Sequence, residues 1–301
     1  MSGPPAGTAG IQNAMTIDVE DYFHVSNFEG VVARDSWTSR ESRVEANTDR
    51  LLELFDGAGV QATFFVLAWV AERTPALVRR ISDGGHEVAS HGYAHHLIYD
   101  QTRDAFRDDV RVAKRVLEDT SGQAVDGYRA PSFSVTARSL WALDVLIEEG
   151  YRYDSSIFPV HHDRYGIPDA ERHAGIVRRP SGSIIEVPAS TVRVGGMNFP
   201  IGGGGYFRML PYQWTRWGIQ RVNGREAAPT VFYLHPWEID PGQPRLPGSW
   251  LGRLRHYRNL HDTEARLKRL LRDFPFGTMR ALIQDAPLPD LTAGAKRPAS
   301  R

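Results

Sequence analysis

The chain has 301 residues, and its 36 Lys and Arg balance 36 Asp and Glu, so no broad basic surface is predicted for nucleic-acid phosphates. It contains no Cys, which excludes disulfides, thiolate ligands and Cys nucleophiles, so any metal must be bound by His and carboxylates. No run of about 18 apolar residues occurs, which argues against a membrane-spanning helix.

The two ends of the chain have a composition that differs from the rest. Residues 1–14 are small and lack the basic start and apolar stretch of a secretory signal, so they are predicted to form a disordered arm. Residues 286–301 are rich in Pro, Ala and polar side chains and are predicted to be a disordered tail. One catalytic domain is expected over residues 15–285, in a cytoplasmic protein of undetermined oligomeric state.

The body alternates short β-branched or aromatic runs with helical stretches, which indicates βα units around a largely parallel sheet. Strands are predicted at Met15 to Val19, Ala62 to Leu67, Glu87 to Ser90, Val125 to Tyr128, Tyr151 to Asp154, Ile184 to Pro188, Val231 to His235 and Met279 to Ile283. Helices are predicted from Thr48, Thr74 and Thr136, across the apolar face formed by Phe106, Val110, Ala113 and Leu117, and near Thr263 to Phe274. Because parallel strands end at one edge, the polar residues after them should converge.

Three acids follow the first strand. Side chains alternate along a strand, so Asp18 and Glu20 should point the same way, and Asp21 joins them only if the chain bends. Crowded carboxylates repel each other unless a cation or a proton neutralises them, although three nearby acids can also form a solvated loop.

Two histidines follow the strand Glu87 to Ser90 with a spacing of four residues. In a turn, this spacing can direct His91 and His95 at one ion, and neutral imidazole suits zinc and related metals. The alternative is a pair of structural histidines that cap a loop or bond within the core. His96 is interpreted as a neighbour of the site.

Two further strands end at residues that can do chemistry. Arg129 follows a strand and could orient a carboxylate, with Pro131 stiffening the loop. His235 ends another apolar strand and reaches the same edge of the sheet. Taken alone, an Arg or a His at such a position can equally be a surface or structural residue.

Taken together and in order, these motifs resemble the polysaccharide deacetylase family, also called the NodB-homology group or carbohydrate esterase family 4. The resemblance covers roughly Met15 to Trp237 and rests on these segments: Thr16 to Asp21, Ser90 to His95, Arg129 to Phe133, Asp154 to Ser156, and Leu234 to His235. It implies an α/β fold, a distorted (β/α) barrel of the NodB type with seven strands. It also implies hydrolysis of N-acetyl groups on a polysaccharide or oligosaccharide.

The resemblance also implies roles for individual residues. His91, His95 and one of Glu20 or Asp21 would bind one divalent ion, zinc first, with cobalt, nickel or manganese as alternatives. The family usually has two adjacent aspartates, whereas Val19 separates Asp18 from Glu20 here. Strand alternation favours Glu20 as the ligand, and Asp21 remains the alternative.

The remaining implied roles concern proton transfer and substrate. Asp18 would be the base, held ionised by Arg129, while a backbone N–H in the Arg129 to Phe133 loop would help to stabilise the oxyanion. His235 would be the acid, with Asp154 orienting it. Three aromatic residues are predicted to bind sugars, namely Phe133, Tyr206 and Trp237.

Three segments resemble a subgroup associated with exopolysaccharide and exosortase-type loci: Asp18 to His24, Gly202 to Arg208, and Phe232 to Glu238. The Gly202 to Gly205 run is not a phosphate loop, because no Gly-Lys-Ser/Thr follows it, and it is predicted to be a tightly turned rim of the substrate groove. The other functions considered are a related amidase for a small cyclic amide or ureide, and a glycan-binding protein without turnover.

Overall fold

A computed structural model describes residues 10–162, 164–284 and 288–291. The strands are β1 Asn13–Val19, β2 Thr63–Val66, β3 Glu87–Ser90, β4 Gly127–Tyr128, β5 Tyr153–Asp154, β6 Gly175–Arg179, β7 Gly182–Glu186, β8 Thr191–Val194, β9 Met197–Pro200, β10 Val231–Leu234 and β11 Phe276–Gly277. The α-helices are α1 Val44–Ala58, α2 Ala68–Arg73, α3 Pro75–Asp83, α4 Arg103–Ser121, α5 Trp141–Glu148, α6 Gly204–Met209, α7 Tyr212–Glu226, α8 Trp250–Tyr257, α9 Leu260–Asp273 and α10 Met279–Gln284. Short 3₁₀ turns lie at Ser26–Phe28, Arg34–Ser39, Ile98–Asp100, Pro131–Phe133 and Pro236–Ile239.

The main sheet has the strand order β10-β1-β2-β3-β4-β5-β7-β6, and the strands from β10 to β7 are all parallel. β6 pairs antiparallel with β7, and β11 pairs with the start of β1. β8 and β9 form a separate antiparallel hairpin. The predicted α/β class with a largely parallel sheet is therefore confirmed.

The two ends of the parallel array are linked by the chain that precedes α6. The Tyr233 N–H of β10 donates to Gly202 O at 2.6 Å, and the Ile201 N–H donates to Ser190 O, just beyond β7, at 3.2 Å. An ideal Cβ on Gly203 would lie 1.9 Å from Tyr233 O, so only glycine permits this close approach. The sheet thus curls back towards itself, in agreement with a distorted barrel.

Helices pack against the sheet through apolar faces that the sequence pattern predicts. On α4, the residues at helical spacing are all buried, namely Phe106, Val110, Ala113 and Leu117. Fully burying such a side chain stabilises the fold by about 1.5–3 kcal/mol for the larger residues. The strands between these helices are buried throughout β1, β2 and β3, because both faces of the sheet are covered.

The first helix begins four residues before its predicted cap. Thr48 lies inside α1 and its hydroxyl donates to Val44 O at 2.6 Å. The helix N-terminus is instead bound by Asp21, whose carboxylate accepts the N–H groups of Arg43 and Val44. A carboxylate from the turn after β1 takes the place of a local cap, which no local pattern could reveal.

The strand predicted at Met279 to Ile283 is wrong, because this segment is helix α10. Met279 and Leu282 are its buried residues, three positions apart, as a short helix requires. The Met279 N–H donates to Thr63 Oγ1 at 2.8 Å, so a contact with the sheet helps to fix the start of the helix. A short apolar run does not distinguish strand from helix by itself.

The ordered body extends beyond both predicted limits. Asn13 and Ala14 are buried residues of β1 rather than part of an arm. Residues 288–291 lie beside β6, where the Ile176 N–H donates to Pro289 O at 2.8 Å. The rest of the predicted arm and tail, residues 1–9, 286–287 and 292–301, lies outside the described residues. Among the helices that the structure describes, none has the length and apolar character needed to cross a bilayer.

Candidate metal centre and catalytic site

Glu20, His91 and His95 converge beyond the carboxyl ends of β1 and β3. Each is buried, and one ligand atom from each lies within 4.8 Å of the others. His95 Nε2 is 2.8 Å from Glu20 Oε2. His91 Nδ1 donates to the backbone carbonyl of Arg129 at 2.8 Å, and this fixes the tautomer with the Nε2 lone pair free. The arrangement is that of three ligands around one ion.

The loop between the two histidines is held in an unusual backbone conformation. Its glycine, Gly92, has φ 77°, and His95 has φ 54°, a left-handed value that is uncommon for a residue with a side chain. The Ala68 and Trp69 N–H groups donate to Gly92 O and Tyr93 O, so α2 fixes the loop from outside. This bent loop, rather than a helical turn, places both imidazoles on the same side.

Asp21, the alternative ligand, faces away from this cluster. Its Oδ2 accepts Ser42 Oγ–H at 2.9 Å and the Arg43 N–H at 2.8 Å, and its Oδ1 accepts the Tyr22 N–H at 3.0 Å. These bonds occupy the carboxylate at the N-terminus of α1. The geometry therefore favours Glu20 over Asp21, in line with strand alternation.

The donor set fits a divalent cation of the zinc type. Burial lowers the pKa of His91 to about 4, so its imidazole is neutral and can act as a ligand. Burial alone would raise the pKa of Glu20, but the interaction with His95 outweighs it and holds the pKa below its ordinary value. Glu20 Oε2 is buried, and its close polar neighbour is His95 Nε2 at 2.8 Å, itself one of the candidate ligand atoms. Two imidazoles and a carboxylate are what a cation of this class binds.

Asp18 lies beside the cluster and is paired with a buried arginine. Arg129 Nη1 donates to Asp18 Oδ1 at 2.7 Å and to Thr16 Oγ1 at 2.7 Å. The rest of the guanidinium is held by Ser155, which accepts through its carbonyl and its hydroxyl oxygen. Because Arg129 is fully buried and fixed on several sides, it fixes the orientation of the Asp18 carboxylate.

His235 approaches the same carboxylates from β10. Its Nε2 is 3.8 Å from Asp18 Oδ2 and 3.7 Å from Glu20 Oε1. Its other nitrogen, Nδ1, is 2.7 Å from Glu238 Oε1, and Glu238 Oε2 accepts Nε–H from the buried Arg208. A chain of ionic hydrogen bonds thus runs from Arg208 through Glu238 to His235.

This series of hydrogen bonds, from Arg208 through Glu238 to His235, corrects the role predicted for Asp154. Asp154 accepts hydrogen bonds from the hydroxyl and N–H of Ser156, next to Glu186 on the neighbouring strand, and does not orient His235. Glu238 is three residues beyond His235 in a 3₁₀ turn, which brings their side chains together. The spacing in His235-Pro236-Trp237-Glu238 was the signal available in the sequence, whereas Arg208 is too distant in the chain to be recognised from it.

Glu238 and Arg208 also set the charge of His235. Burial alone would lower the pKa of His235, but the hydrogen bond to Glu238 and the negative charges of Glu20, Glu238 and Asp18 outweigh it and raise the pKa to about 9. Burial likewise opposes ionisation of Glu238, yet the charges of Arg208 and His235 lower its pKa to about 2. His235 is therefore a cationic donor at neutral pH.

The backbone of the Arg129 to Phe133 loop is largely occupied. The N–H groups of Arg129, Ala130 and Phe133 donate to Ser90 O, Ser156 Oγ and Ala130 O. These three groups are not free to bind an oxyanion and Pro131 has no N–H, so the predicted oxyanion contact would fall to the Ser132 N–H.

The three predicted sugar-binding aromatics differ in accessibility. Trp237 is 4% exposed and stacks between His235 and His256, with ring centroids 5.1 and 4.1 Å away, and its Nε1–H donates to Glu20 Oε1. Phe133 is buried among other rings, whereas Tyr206 is half-buried and its hydroxyl lies 3.2 Å from that of Tyr165. Trp237 and Phe133 are walls of the site, and Tyr206 is the one of the three that reaches its surface.

Comparisons with known proteins divide the chain near residue 154. Residues 35–153 match the polysaccharide deacetylase family, and residues 155–284 match a domain family of unknown function, DUF3473. The peptidoglycan deacetylase of Helicobacter pylori is 32% identical over 121 residues, which are 40% of this chain and 39% of that protein. The peptidoglycan-N-acetylglucosamine deacetylase of Bacillus cereus is 30% identical over 98 residues, 32% of this chain and 36% of that protein. The chain thus spans less than two-fifths of the length of these relatives.

A solved structure from Mycobacterium smegmatis, with a provisional polysaccharide deacetylase description, matches the fold over 99% of both chains. Its TM-score is 0.62 and its sequence identity is 18%. At this identity the likeness supports the fold alone, including the part that follows residue 154.

Proposed function

The chain belongs to the polysaccharide deacetylase family, and on this premise we propose that it is a metal-dependent hydrolase that removes N-acetyl groups from an amino-sugar polysaccharide. The observation that supports this proposal is the convergence of three kinds of group in one place. A candidate ligand set, a base paired with arginine and a cationic histidine surround the same small space. Together they provide what amide hydrolysis needs: an electrophilic centre, a proton acceptor and a proton donor.

Glu20, His91 and His95 would hold the ion. A divalent ion in this position supplies Lewis acidity, polarising the acetyl carbonyl and lowering the pKa of water. Zinc suits the ligand set best, with cobalt, nickel or manganese as alternatives.

Asp18 and His235 would divide the proton transfers between them. Asp18 would accept a proton from the attacking water, and the hydrogen bond from Arg129 holds its carboxylate in the site. His235 carries a proton on Nε2 and donates it to the nitrogen of the departing sugar amine, while Glu238 holds the ring through Nδ1. The products are acetate and a polymer with a free amine, so a neutral glycan becomes cationic.

We place this activity in exopolysaccharide biosynthesis. The support is the resemblance of three segments to that subgroup. Each of the three segments contributes residues to the candidate site or to the closure of the sheet. Asp18 to His24 contains the base and the ligand, Gly202 to Arg208 closes the sheet and supplies Arg208, and Phe232 to Glu238 supplies the acid and its partner.

The deciding experiment is acetate release from N-acetylglucosamine oligomers with and without added zinc after chelation. We expect release that depends on the metal and is lost in Asp18→Asn. The exposed Asp35→Asn change, on a nearby 3₁₀ turn, is the matched control and should keep full activity. Acetate release that survives both chelation and Asp18→Asn would contradict the proposal.

A further inference from the structure

A cavity of about 610 Å³ lies entirely within the part of the chain that follows residue 154. Residues 159–161 and 168–173 form one wall, and the β8–β9 hairpin forms the other, with Tyr206 also lining it. Its volume falls within the range of roughly 300–1,000 Å³ that is typical of ligand sites. None of its lining residues belongs to the candidate metal centre or to the region that matches the deacetylase family.

A row of packed aromatic rings lies between the cavity and the catalytic site. The hydroxyls of Tyr206 and Tyr165 lie 3.2 Å apart, and Tyr165 packs on Phe133 with centroids 6.3 Å apart. Phe133 packs on Tyr233 at 5.0 Å, and Tyr233 on His235 at 6.0 Å. Tyr206 therefore lines the cavity at one end of this row of rings, and the other end of the row contacts the proposed acid.

The loop that lines one side of the cavity is fixed by contacts with α7 and β8. Arg172 and His173 both contact Glu226 at the end of α7, at 3.0 and 2.9 Å, and Arg172 also donates to Thr191 O of β8. These contacts tie the loop to the hairpin and to a long helix. The two walls are consequently held in a fixed relation before any ligand binds, which lowers the entropy lost on binding.

The lining has the mixed chemistry that suits sugar units. Pro168, Pro200 and Phe199 offer apolar surface for the C–H face of a sugar ring. Asp169 and Arg193 are exposed, and the described residues give their side chains no hydrogen bond or ion pair. A carboxylate and a guanidinium without protein partners can accept from and donate to neighbouring hydroxyl groups.

We propose that this cavity is a glycan subsite, which holds sugar units of the polymer adjacent to the unit in the metal centre. The proposal rests on the proposed function and deepens it: the substrate is a chain of several sugars, recognised through units that are not themselves deacetylated. Binding energy from such remote units improves positioning at the reacting centre.

The test compares N-acetylglucosamine oligomers of two and six units. In the double variant Asp169→Ala/Arg193→Ala, we expect the ratio of kcat/KM for the hexamer to that for the dimer to fall about tenfold, mainly through KM, as for the loss of one or two hydrogen bonds. The control is Arg79→Ala/Asp83→Ala on α3, an exposed pair of the same charge types outside the cavity, and this variant should keep the wild-type ratio.

Calorimetric binding of the hexamer, without turnover, separates the subsite from the chemistry. Weaker hexamer binding by the cavity variant, even if no substrate releases acetate, supports the subsite while the proposed function fails. Acetate release by the wild type with an equal fall for dimer and hexamer, or with unchanged hexamer binding, overturns the subsite and leaves the deacetylase intact.

Discussion

The regions before and after residue 154 contribute opposite sides of one site. The first supplies the candidate metal ligands and the proposed base, namely Asp18, Glu20, His91 and His95, together with Arg129. The second supplies the proposed acid and its partners, namely His235, Glu238 and Arg208, and also the cavity that Tyr206 lines. In the proposed mechanism, the region with a recognised family match would activate the attacking water, and the region without an assigned function would expel the amine and extend the groove.

The two regions are nevertheless not separable modules. Ser155 accepts two hydrogen bonds from Arg129, and Trp237 donates one to Glu20, so each region fixes a catalytic group of the other. Positioning across this boundary is part of the active site. The predictions below therefore change one side at a time and ask whether the other side keeps its own function.

The largest effect is expected from removal of a metal ligand in the first region. Glu20→Ala should lose both bound zinc and acetate release, since one of three protein ligands is gone. Asp21→Ala is the contrasting change, because it removes the carboxylate at the start of α1. It should keep zinc but lower the free energy of unfolding by about 0.5–2 kcal/mol. Metal analysis and denaturant unfolding check both, and zinc loss from Asp21→Ala alone would reverse the assignment.

The next effect separates base from acid across the two regions. Asp18→Asn and His235→Ala should each lower amide hydrolysis by about 10²–10⁴ while retaining metal. An activated acetate ester has a leaving group that needs little protonation, so it should rescue His235→Ala much better than Asp18→Asn. Equal defects on ester and amide would show that the roles are not divided between the two regions in this way.

A smaller effect is expected from the partner of the acid. Glu238→Gln keeps the size of the side chain but removes the charge between Arg208 and His235, and it should lower amide hydrolysis by about 10–100-fold. The ester should be affected less, as in His235→Ala. Asp154→Asn is the comparison, and we expect it to leave the ratio of ester to amide rates unchanged. A changed ratio in Asp154→Asn alone would restore the role first predicted for it.

The accuracy of the predictions from sequence also differs between these two regions. In the first region, strand alternation indicated Glu20, and histidine spacing indicated the metal cluster, because both depend on residues close together in the chain. In the second region, the antiparallel strands β8 and β9, the helix α10 and the partner Arg208 were missed or misassigned. These features depend on contacts between distant segments, such as the bond from Met279 to Thr63, which local periodicity does not encode.

The smallest expected effect concerns Asp109, which contacts the loop between His91 and His95. Asp109 of α4 accepts the Tyr93 N–H at 3.0 Å, and burial raises the pKa of its carboxyl from 3.8 to about 6. The folded chain then binds this proton more tightly than the unfolded chain. The resulting stability is fully present below about pH 4 and is lost as the pH rises through about 6. At pH 7.5 the half-buried carboxylate is ionised, and its partial burial then lowers the stability of the fold.

Asp109→Asn keeps the acceptor oxygen for Tyr93 and removes the charge, so it should stabilise the fold at pH 7.5 by on the order of 1–3 kcal/mol and have little effect near pH 4. Denaturant unfolding at the two pH values measures this difference. The exposed neighbour Asp108→Asn should change stability by less than about 0.5 kcal/mol at both. If Asp109→Asn instead destabilises the protein at pH 7.5, the ionised carboxylate helps to hold the loop. The first region would then depend on a buried charge outside the metal centre, as the second depends on Glu238.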